Sequence, residues 1–421
     1  MTFLVIAIFI TGYITISFET YIRINKAAIA LLTGVSCWIV YMVFSHDKHS
    51  VEEQLSGRLG DLSGIIFFLM SAMTIVELID AHNGFNIITK NINQAGKRNL
   101  AWTLSLITFF LSAILDNLTT SIIMVLLLRK LINNAKERLF FTGIIIIAAN
   151  AGGAWSPMGD ITSTMLWMGK QVTPKGLLNL FLPSLAAVIT PLIIFTSKMK
   201  GNVKQPVKTK DIEFPFSKTN QYVVLISGLF ILISVPVLKM LTGLPPYMGI
   251  LLGLGILWVI TEIIHYDKEN EKHEFTVANA LRRIDTPSIL FFLGILLGIA
   301  ALQSAGILQD TASWLDSKVI NKNVLVTFIG LLSSIVDNVP LVAASQAMYQ
   351  YPTDHNFWLL LTYCTGTGGS LLLIGSAAGI AAMGMEKISF LWYLKKITFI
   401  ALTGYLAGIA VYFIQDYFLN L

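Results

Sequence analysis

Long apolar runs separated by short polar segments dominate this chain. Windows of about 20 residues, the length that crosses a bilayer as an α-helix, predict ten crossings. Together they predict an all-α polytopic membrane protein. The predicted limits are 2–18, 26–44, 63–80, 141–168, 177–197, 220–238, 245–264, 286–307, 357–384 and 390–414.

Two further apolar segments, 100–128 and 323–349, are each interrupted near the centre by an Asp-Asn pair. Asp and Asn are strong N-cap residues, so each segment is expected to form two half-helices that meet at a tip. We interpret both segments as re-entrant hairpins, which enter and leave the membrane on one side. An ionised carboxylate at the bilayer centre costs roughly 2.5 to 3.5 kcal/mol on insertion scales, so Asp116 and Asp337 are predicted to be functional.

Composition and charge agree with this interpretation. The 421 residues are 55% hydrophobic and 13% charged, which lies outside the soluble classes. If both hairpins return to their own side, 22 of the 29 Lys and Arg residues fall in loops on one side and 7 on the other. The positive-inside rule then places both termini outside. The net charge of +5 indicates loops that face anionic membrane lipid and not a nucleic acid partner.

The two halves of the chain resemble each other. The sequence FFLSAILDN at 109–117 is matched by GLLSSIVDN at 330–338. The predicted repeats are 1–197 and 220–421, joined by a basic cytoplasmic linker at 198–219. Each repeat holds five crossings and one hairpin. Because five is odd, the second repeat is expected to have inverted topology relative to the first.

The crossings 141–168 and 357–384 contain the glycine-rich stretches NAGGAWSPMGD and TGTGGSLLLIGS. Glycine weakens a helix and proline removes a donor, so both crossings are expected to break at the midplane. Unwound backbone at that depth must line a cavity or lie buried in protein. Side chains with oxygen atoms at the tips and breaks suit a hard cation. The predicted ion- and proton-binding residues are Asp116, Asn117, Thr119, Ser156, Asp160, Asp337, Asn338, Thr365, Thr367, Ser370 and Ser376.

The segments that carry Asp116, Asp160 and Asp337 contain no Lys or Arg. Buried carboxylates without a fixed counter-ion must bind a proton or a mobile cation. Competition between Na⁺ (or Li⁺) and H⁺ for the same oxygens is the basis of antiport, and it requires no cofactor. The prediction is therefore a secondary transporter and not an enzyme.

Three polar residues at the end of the third crossing, Glu77, Asp80 and His82, are candidates for proton access or pH sensing. Interfacial charges are also ordinary at the end of a crossing, and this reading stays open. Each of the three aspartates could likewise serve only as a helix N-cap.

The chain resembles the NhaD-type sodium/proton antiporters of the ion transporter superfamily over nearly its full length. The most specific motifs are LDNLTTSI (115–122), NAGGAWSPMGDITSTMLW (150–167), VDNVP (336–340) and TGTGGSLLLIGSAAGIAAMGM (365–385). The resemblance implies a homodimer in the plasma membrane of a prokaryote, with a scaffold part and a moving transport part in each protomer.

Two alternatives remain at this point. The same fold could carry arsenite or an organic anion, coupled to Na⁺ or uncoupled. An intramembrane aspartyl protease could use Asp116 and Asp337, but Pro157-Met158-Gly159-Asp160 lacks the first glycine of the Gly-x-Gly-Asp signature.

Overall fold

The structure is a computed structural model that describes residues 1–17, 22–89, 96–197, 199, 201–203, 218–266, 275–319, 321–372 and 375–419. These residues are helical apart from turns and one isolated bridge between Gly96 and Asn202. The first half contains α1 (Thr2–Ser17), α2 (Lys26–Phe44), α3 (Lys48–Ala81), α4 (Gly84–Thr89), α5 (Lys97–Leu115), α6 (Asn117–Leu131), α7 (Ala135–Ala154), α8 (Ile161–Met168), α9 (Pro174–Leu178) and α10 (Phe181–Ser197).

The second half begins with α11 (Lys218–Thr242), α12 (Pro246–Ile264), α13 (Val277–Arg283), α14 (Thr286–Ser304) and α15 (Ile307–Lys318). It continues with α16 (Lys322–Leu332), α17 (Asn338–Met348), α18 (Asn356–Gly368), α19 (Ala377–Glu386), α20 (Phe390–Tyr393), a π-helical turn (Leu394–Thr398) and α21 (Phe399–Leu419). The predicted linker at 198–219 lies outside the described residues except for 199, 201–203 and the first two residues of α11.

Within the described part of the chain, eight helical segments are long and apolar enough to cross a membrane. The protein is therefore a multi-pass membrane protein. Seven of the ten predicted crossings coincide with these segments, and the eighth segment is α5, which was predicted as one arm of a hairpin. The eight are Lys26–Phe44, Lys48–Ala81, Lys97–Leu115, Pro174–Ser197, Lys218–Thr242, Pro246–Ile264, Thr286–Ser304 and Phe390–Phe418.

The third crossing is longer than its apolar run. The apolar pattern predicts a start at residue 63, whereas α3 starts at Lys48. Asp47 caps this start by accepting a hydrogen bond from the backbone N–H of Ser50 at 3.1 Å. The polar residues that follow contain no proline, so the helix continues through them into the apolar part.

All four predicted helix breaks are present. The segment predicted as the first hairpin breaks at Asp116, between α5 and α6, and the segment predicted as the second hairpin breaks between Leu332 and Asn338. The glycine-rich crossings break between α7 and α8 and between α18 and α19. Asp-Asn and Gly-Pro are local signals, and they stop a helix wherever it packs.

In both halves the first arm of the hairpin packs closely against the helix that precedes the glycine-rich break. A Cβ atom added at Gly152 would lie within 3.0 Å of three backbone atoms of Phe109. At Gly368 it would meet the backbone of Gly330 and the Ser333 hydroxyl just as closely. The two helix pairs therefore need glycine at matched positions.

A serine on each hairpin reinforces this packing. The Ser112 hydroxyl donates to the carbonyl oxygen of Ala149 at 2.6 Å, and the Ser333 hydroxyl donates to that of Thr365 at 3.0 Å. Both carbonyl groups belong to the helix before the break. The internal sequence similarity is thus accompanied by the same contacts in both halves.

A buried ion-pair cluster joins the two halves. The Glu386 side chain at the end of α19 is 2% exposed and contacts Arg129 at 2.7 Å and Arg138 at 3.0 Å. Both arginines belong to the first half, at the end of the hairpin and the start of α7. This pairing holds the base of the first hairpin against the helix that follows the second break.

Candidate cation-binding site

The second hairpin tip meets the first glycine-rich break. Asp160 caps α8 by accepting a hydrogen bond from the Thr162 N–H at 3.2 Å, and the residue is 2% exposed. Its other carboxylate oxygen accepts a hydrogen bond from Asn338 Nδ2 at 3.2 Å. A buried carboxylate of one half is therefore held by the hairpin tip of the other half.

The first hairpin tip meets the second glycine-rich break through a bridging side chain. Asn117 Nδ2 donates to Asn150 Oδ1 at 3.1 Å, and Asn150 Nδ2 donates to the Ser376 hydroxyl at 3.2 Å. Ser376 in turn caps α19 by accepting from the Gly379 N–H at 3.1 Å. All three side chains of this chain of hydrogen bonds are buried.

These two arrangements correspond to each other with two differences, Asp160 against Ser376 and Asn150 against Gly366. Asn117 and Asp160 in the first half occupy the places that Asn338 and Ser376 occupy in the second. Asn150 corresponds to Gly366, where an added Cβ would lie 3.6 Å from Asp160 Oδ2. Asn338 at the second tip reaches the cap residue Asp160 directly. Ser376 is shorter than an aspartate, so Asn117 at the first tip reaches it only through Asn150.

Asp116 lies at the first tip with a backbone φ of +86°, which is strained for a residue with a side chain. Its carboxylate accepts hydrogen bonds from the Thr119 N–H at 2.7 Å and the Thr119 hydroxyl at 2.9 Å. Asp116 therefore caps α6. In the described part of the chain, neither Asp116 nor Asp160 has a Lys or Arg within ion-pair distance.

The expectation that all three aspartates lack a fixed cation is wrong for Asp337. Lys26 Nζ, from the start of α2, lies 3.8 Å from Asp337 Oδ2. This lysine is not visible in the segment that carries Asp337, because it comes from a helix more than 300 positions away in sequence. Asp116 and Asp160 are thus the two aspartates without a Lys or Arg partner among the described residues.

The other predicted ligands are not joined to the Asp160 and Asn150 hydrogen bonds. Ser156 donates to the Ala113 carbonyl oxygen and so links the first break to its own hairpin. The hydroxyl groups of Thr365, Thr367 and Ser370 donate to carbonyl oxygens of the preceding turn of their own segment. Their oxygen atoms keep an acceptor lone pair, but no described hydrogen bond aims them at Asp160.

Sequence reasoning missed three polar residues beside the first tip. Asn150 lies inside a motif that was recognised, but it was not chosen as a ligand. Thr120 and Ser121 follow Asn117 by three and four positions, so they share its face of α6. Both are fully buried, and neither hydroxyl has a hydrogen-bond partner among the described residues. The motif LDNLTTS was the signal that could have identified them.

The candidates for pH sensing lie apart from this site, at the end of α3. His82 Nε2 is 2.9 Å from His265 Nε2, and both rings are buried. Glu77 lies 3.8 Å from Arg283. No described contact joins these residues to Asp160. The partner His265 was not predicted, because it lies in the other half of the chain.

Comparison with known proteins finds relatives that cover most of this chain. Residues 4–362 match the family described as "Citrate transporter". The chain is 47% identical to sodium/proton antiporter 1 of Arabidopsis thaliana (95% of this chain, 70% of the relative) and 44% identical to sodium/proton antiporter 2 of the same plant (95% and 96%). It is 30% identical to the Na⁺/H⁺ antiporter NhaD of Alkalimonas amylolytica (97% and 90%).

A multi-pass helical protein with polar side chains at its helix breaks, and with these relatives, is a membrane transporter and not an enzyme. Transported ions are its substrates, and nothing in the family indicates a bound cofactor. Within that class, the chain belongs to the NhaD-type Na⁺/H⁺ antiporter family.

Proposed function

We propose that this protein exchanges cytoplasmic Na⁺ or Li⁺ for external H⁺, with Asp160 as the carboxylate for which the two ions compete. The observation that carries the proposal is the burial of Asp160, 2% exposed, without a Lys or Arg partner among the described residues. Relatives named sodium/proton antiporter support the choice of ions.

Asp160 is an isolated buried charge when it is ionised, and such a charge is costly. An ionised carboxylate out of water is strongly unfavourable unless a positive charge or hydrogen-bond donors compensate it. Asp160 receives one N–H bond from Thr162 and one from Asn338, both at 3.2 Å. These donors hold the carboxylate in place but leave its charge. A proton or a bare Na⁺ removes the charge, and the two cannot do so together.

The surrounding oxygen atoms define the proposed ion site. Asn338 and Asn117 use their Nδ2 atoms in the described hydrogen bonds, so their Oδ1 atoms are the proposed ligands, together with the Ser376 hydroxyl oxygen. The hydroxyl groups of Thr120 and Ser121, which have no hydrogen-bond partner among the described residues, add two oxygen ligands on the face of α6 that carries Asn117. Such a set of neutral oxygens with one or two carboxylates suits a hard monovalent cation.

The proposed architecture is a pair of inverted repeats, 1–197 and 220–421, with re-entrant hairpins and with the site at the membrane midplane. The matched contacts of Gly152 with Gly368 and of Ser112 with Ser333 support the repeat. The excess of Lys and Arg on one side supports termini that lie outside. A homodimer in a prokaryotic plasma membrane rests on the family resemblance alone, since relatives come from both a plant and bacteria.

The second candidate is transport of an organic anion such as citrate, which the description of the matching family favours. A polycarboxylate needs basic partners at its site, and the described side chains around Asp160 and Asn150 are acidic or neutral. Uptake of labelled citrate into proteoliposomes that is independent of Asp160 would favour this candidate over antiport.

The test is antiport in proteoliposomes or everted vesicles that contain a pH-sensitive dye. Adding Na⁺ to the wild type should restore the fluorescence that respiration or an imposed pH gradient has quenched. Asp160→Asn should lower kcat/KM for Na⁺ by at least about 100-fold, because the amide carries no charge for either ion to neutralise. Asp116→Asn should also impair exchange.

The matched control is Asp310→Asn, which makes the same chemical change at an exposed position in α15. It should leave exchange unchanged. Wild-type-like exchange by a correctly folded Asp160→Asn variant would refute the assignment of the site, whereas absence of Na⁺-dependent exchange in the wild type would refute the function.

A further inference from the structure

Asp337 differs from the other two aspartates because a lysine from the first half of the chain faces it. Lys26 Nζ lies 3.8 Å from Asp337 Oδ2, and the two side chains are 21% and 18% exposed. This distance is longer than a hydrogen-bonded ion pair of about 2.7 to 2.9 Å. The contact is therefore an electrostatic pairing at Oδ2, while Oδ1 accepts a hydrogen bond from the Val339 N–H at 3.2 Å.

The position of Lys26 in its helix is unfavourable on local grounds. It is the first residue of α2, immediately after the N-cap Asn25, whose side chain accepts from the Ala27 N–H at 2.8 Å. The N-terminus of a helix carries a partial positive charge that disfavours a cation. Helix capping therefore does not explain why a lysine lies at this position, whereas the carboxylate that faces it does.

The ammonium group of Lys26 also lies beside an aromatic ring. Its ammonium group lies 4.4 Å from the centre of the Phe291 ring, within the range of a cation–π contact. Phe291 belongs to α14, which packs on α2 so closely that a Cβ added at Gly294 would overlap the backbone of Ala30. Phe291 and Lys26 thus belong to one tightly packed helix pair, and the ring lies beside the ammonium group in the same position from which that group faces Asp337.

Asp337 is directly coupled to the proposed ion site. It caps α17 through the Val339 N–H, and the next residue is Asn338, which binds Asp160. A cation that neutralises Asp337 therefore also weakens the attraction of the site for Na⁺.

We infer that Lys26 is a tethered cation that competes with the transported Na⁺ for Asp337 and so sets the Na⁺ affinity of the carrier. This inference rests on the proposed function. It assigns a role to a residue outside the hairpins and broken helices, and it explains why Asp337 is not left as a third uncompensated carboxylate.

The experiment measures ²²Na⁺ binding to purified full-length protein in detergent, which requires no turnover. Lys26→Met should bind Na⁺ about tenfold more tightly than the wild type, because the competing charge is lost while most of the side-chain volume remains. Lys26→Arg keeps the charge and should bind like the wild type. In an Asp337→Asn background, Lys26→Met should have no further effect.

Lys48→Met is the matched control, since Lys48 is also the first residue of a helix but is exposed. It should not change the affinity. Unchanged or weaker binding by Lys26→Met, or the same tightening in the Asp337→Asn background, would overturn the inference. If Lys26→Met does not fold, a change in affinity for Lys26→Arg as large as tenfold would overturn it as well. Na⁺ binding without antiport by the wild type would instead overturn the proposed function.

Discussion

The close packing of the hairpins against the broken helices can be tested with a single methyl group. In Gly152→Ala, the new Cβ would lie within 3.0 Å of the carbonyl oxygen, carbonyl carbon and Cα of Phe109. All three are backbone atoms, so no side chain can rotate away. The first arm of the hairpin must move by up to about 1 Å, and overpacking of this kind costs about 1 to 3 kcal/mol.

Helix propensity acts in the opposite direction. Alanine is favoured over glycine in a helix interior by about 1 kcal/mol. The expected net change for Gly152→Ala is therefore a loss of up to about 2 kcal/mol. Gly368→Ala should behave in the same way, because its Cβ would meet the backbone of Gly330.

Gly384→Ala is the control. Gly384 lies in α19 and has no atom within 4 Å of an added Cβ, so only the helix preference changes. Thermal unfolding in detergent, followed by a thiol-reactive or tryptophan signal, should show a lower Tm for Gly152→Ala and Gly368→Ala but not for Gly384→Ala. Equal Tm values for all three variants would refute the close approach of hairpin and broken helix in both halves.

Two further predictions concern the ion site and the histidine pair. Replacing the buried hydroxyl groups in Thr120→Val and Ser121→Ala should raise the KM for Na⁺ about three- to tenfold each. The control is Ser71→Ala, which removes another buried hydroxyl without a described partner and should leave the KM unchanged. Equal KM values for all these variants would exclude Thr120 and Ser121 as ligands. Burial, with a smaller contribution from His265, lowers the pKa of His82 to about 4 from 6.5. Between these two pH values the unfolded chain therefore binds more protons than the folded chain. The Tm should then fall as the pH drops from 6.5 towards 4. His82→Gln should reduce that fall and the exposed His49→Gln should not; identical pH profiles would argue against a buried neutral His82.

The helix breaks could be predicted from the sequence because each depends on a few neighbouring residues. Asp-Asn at a tip supplies an N-cap, and both Asp116 and Asp337 do cap the helix that follows. Helix ends at polar segments were less predictable. The start of α3 at Lys48 depends on the cap at Asp47 and on the absence of a proline, and hydropathy records neither.

The pairing of residues across the chain could not be predicted from either half alone. Lys26 with Asp337, His82 with His265 and Asn150 with Ser376 each join positions more than 180 residues apart. A lysine at the start of one helix looks like an interfacial charge, and a histidine beside a loop looks solvated. Only tertiary packing decides that the first faces a carboxylate and the second another histidine.

The two halves share their packing contacts but differ in their polar chemistry, and the difference has a physical reason. Asp160 corresponds to Ser376 in the second half, and Thr120 and Ser121 in α6 correspond to Leu341 and Val342 in α17. A second buried carboxylate at the place of Ser376 would be a further charge without compensation. The chain instead keeps one buried cap carboxylate, Asp160, and pairs Asp337 with Lys26. It also keeps on one tip the hydroxyl groups that have no partner among the described residues, so the attraction for a single small cation is concentrated there.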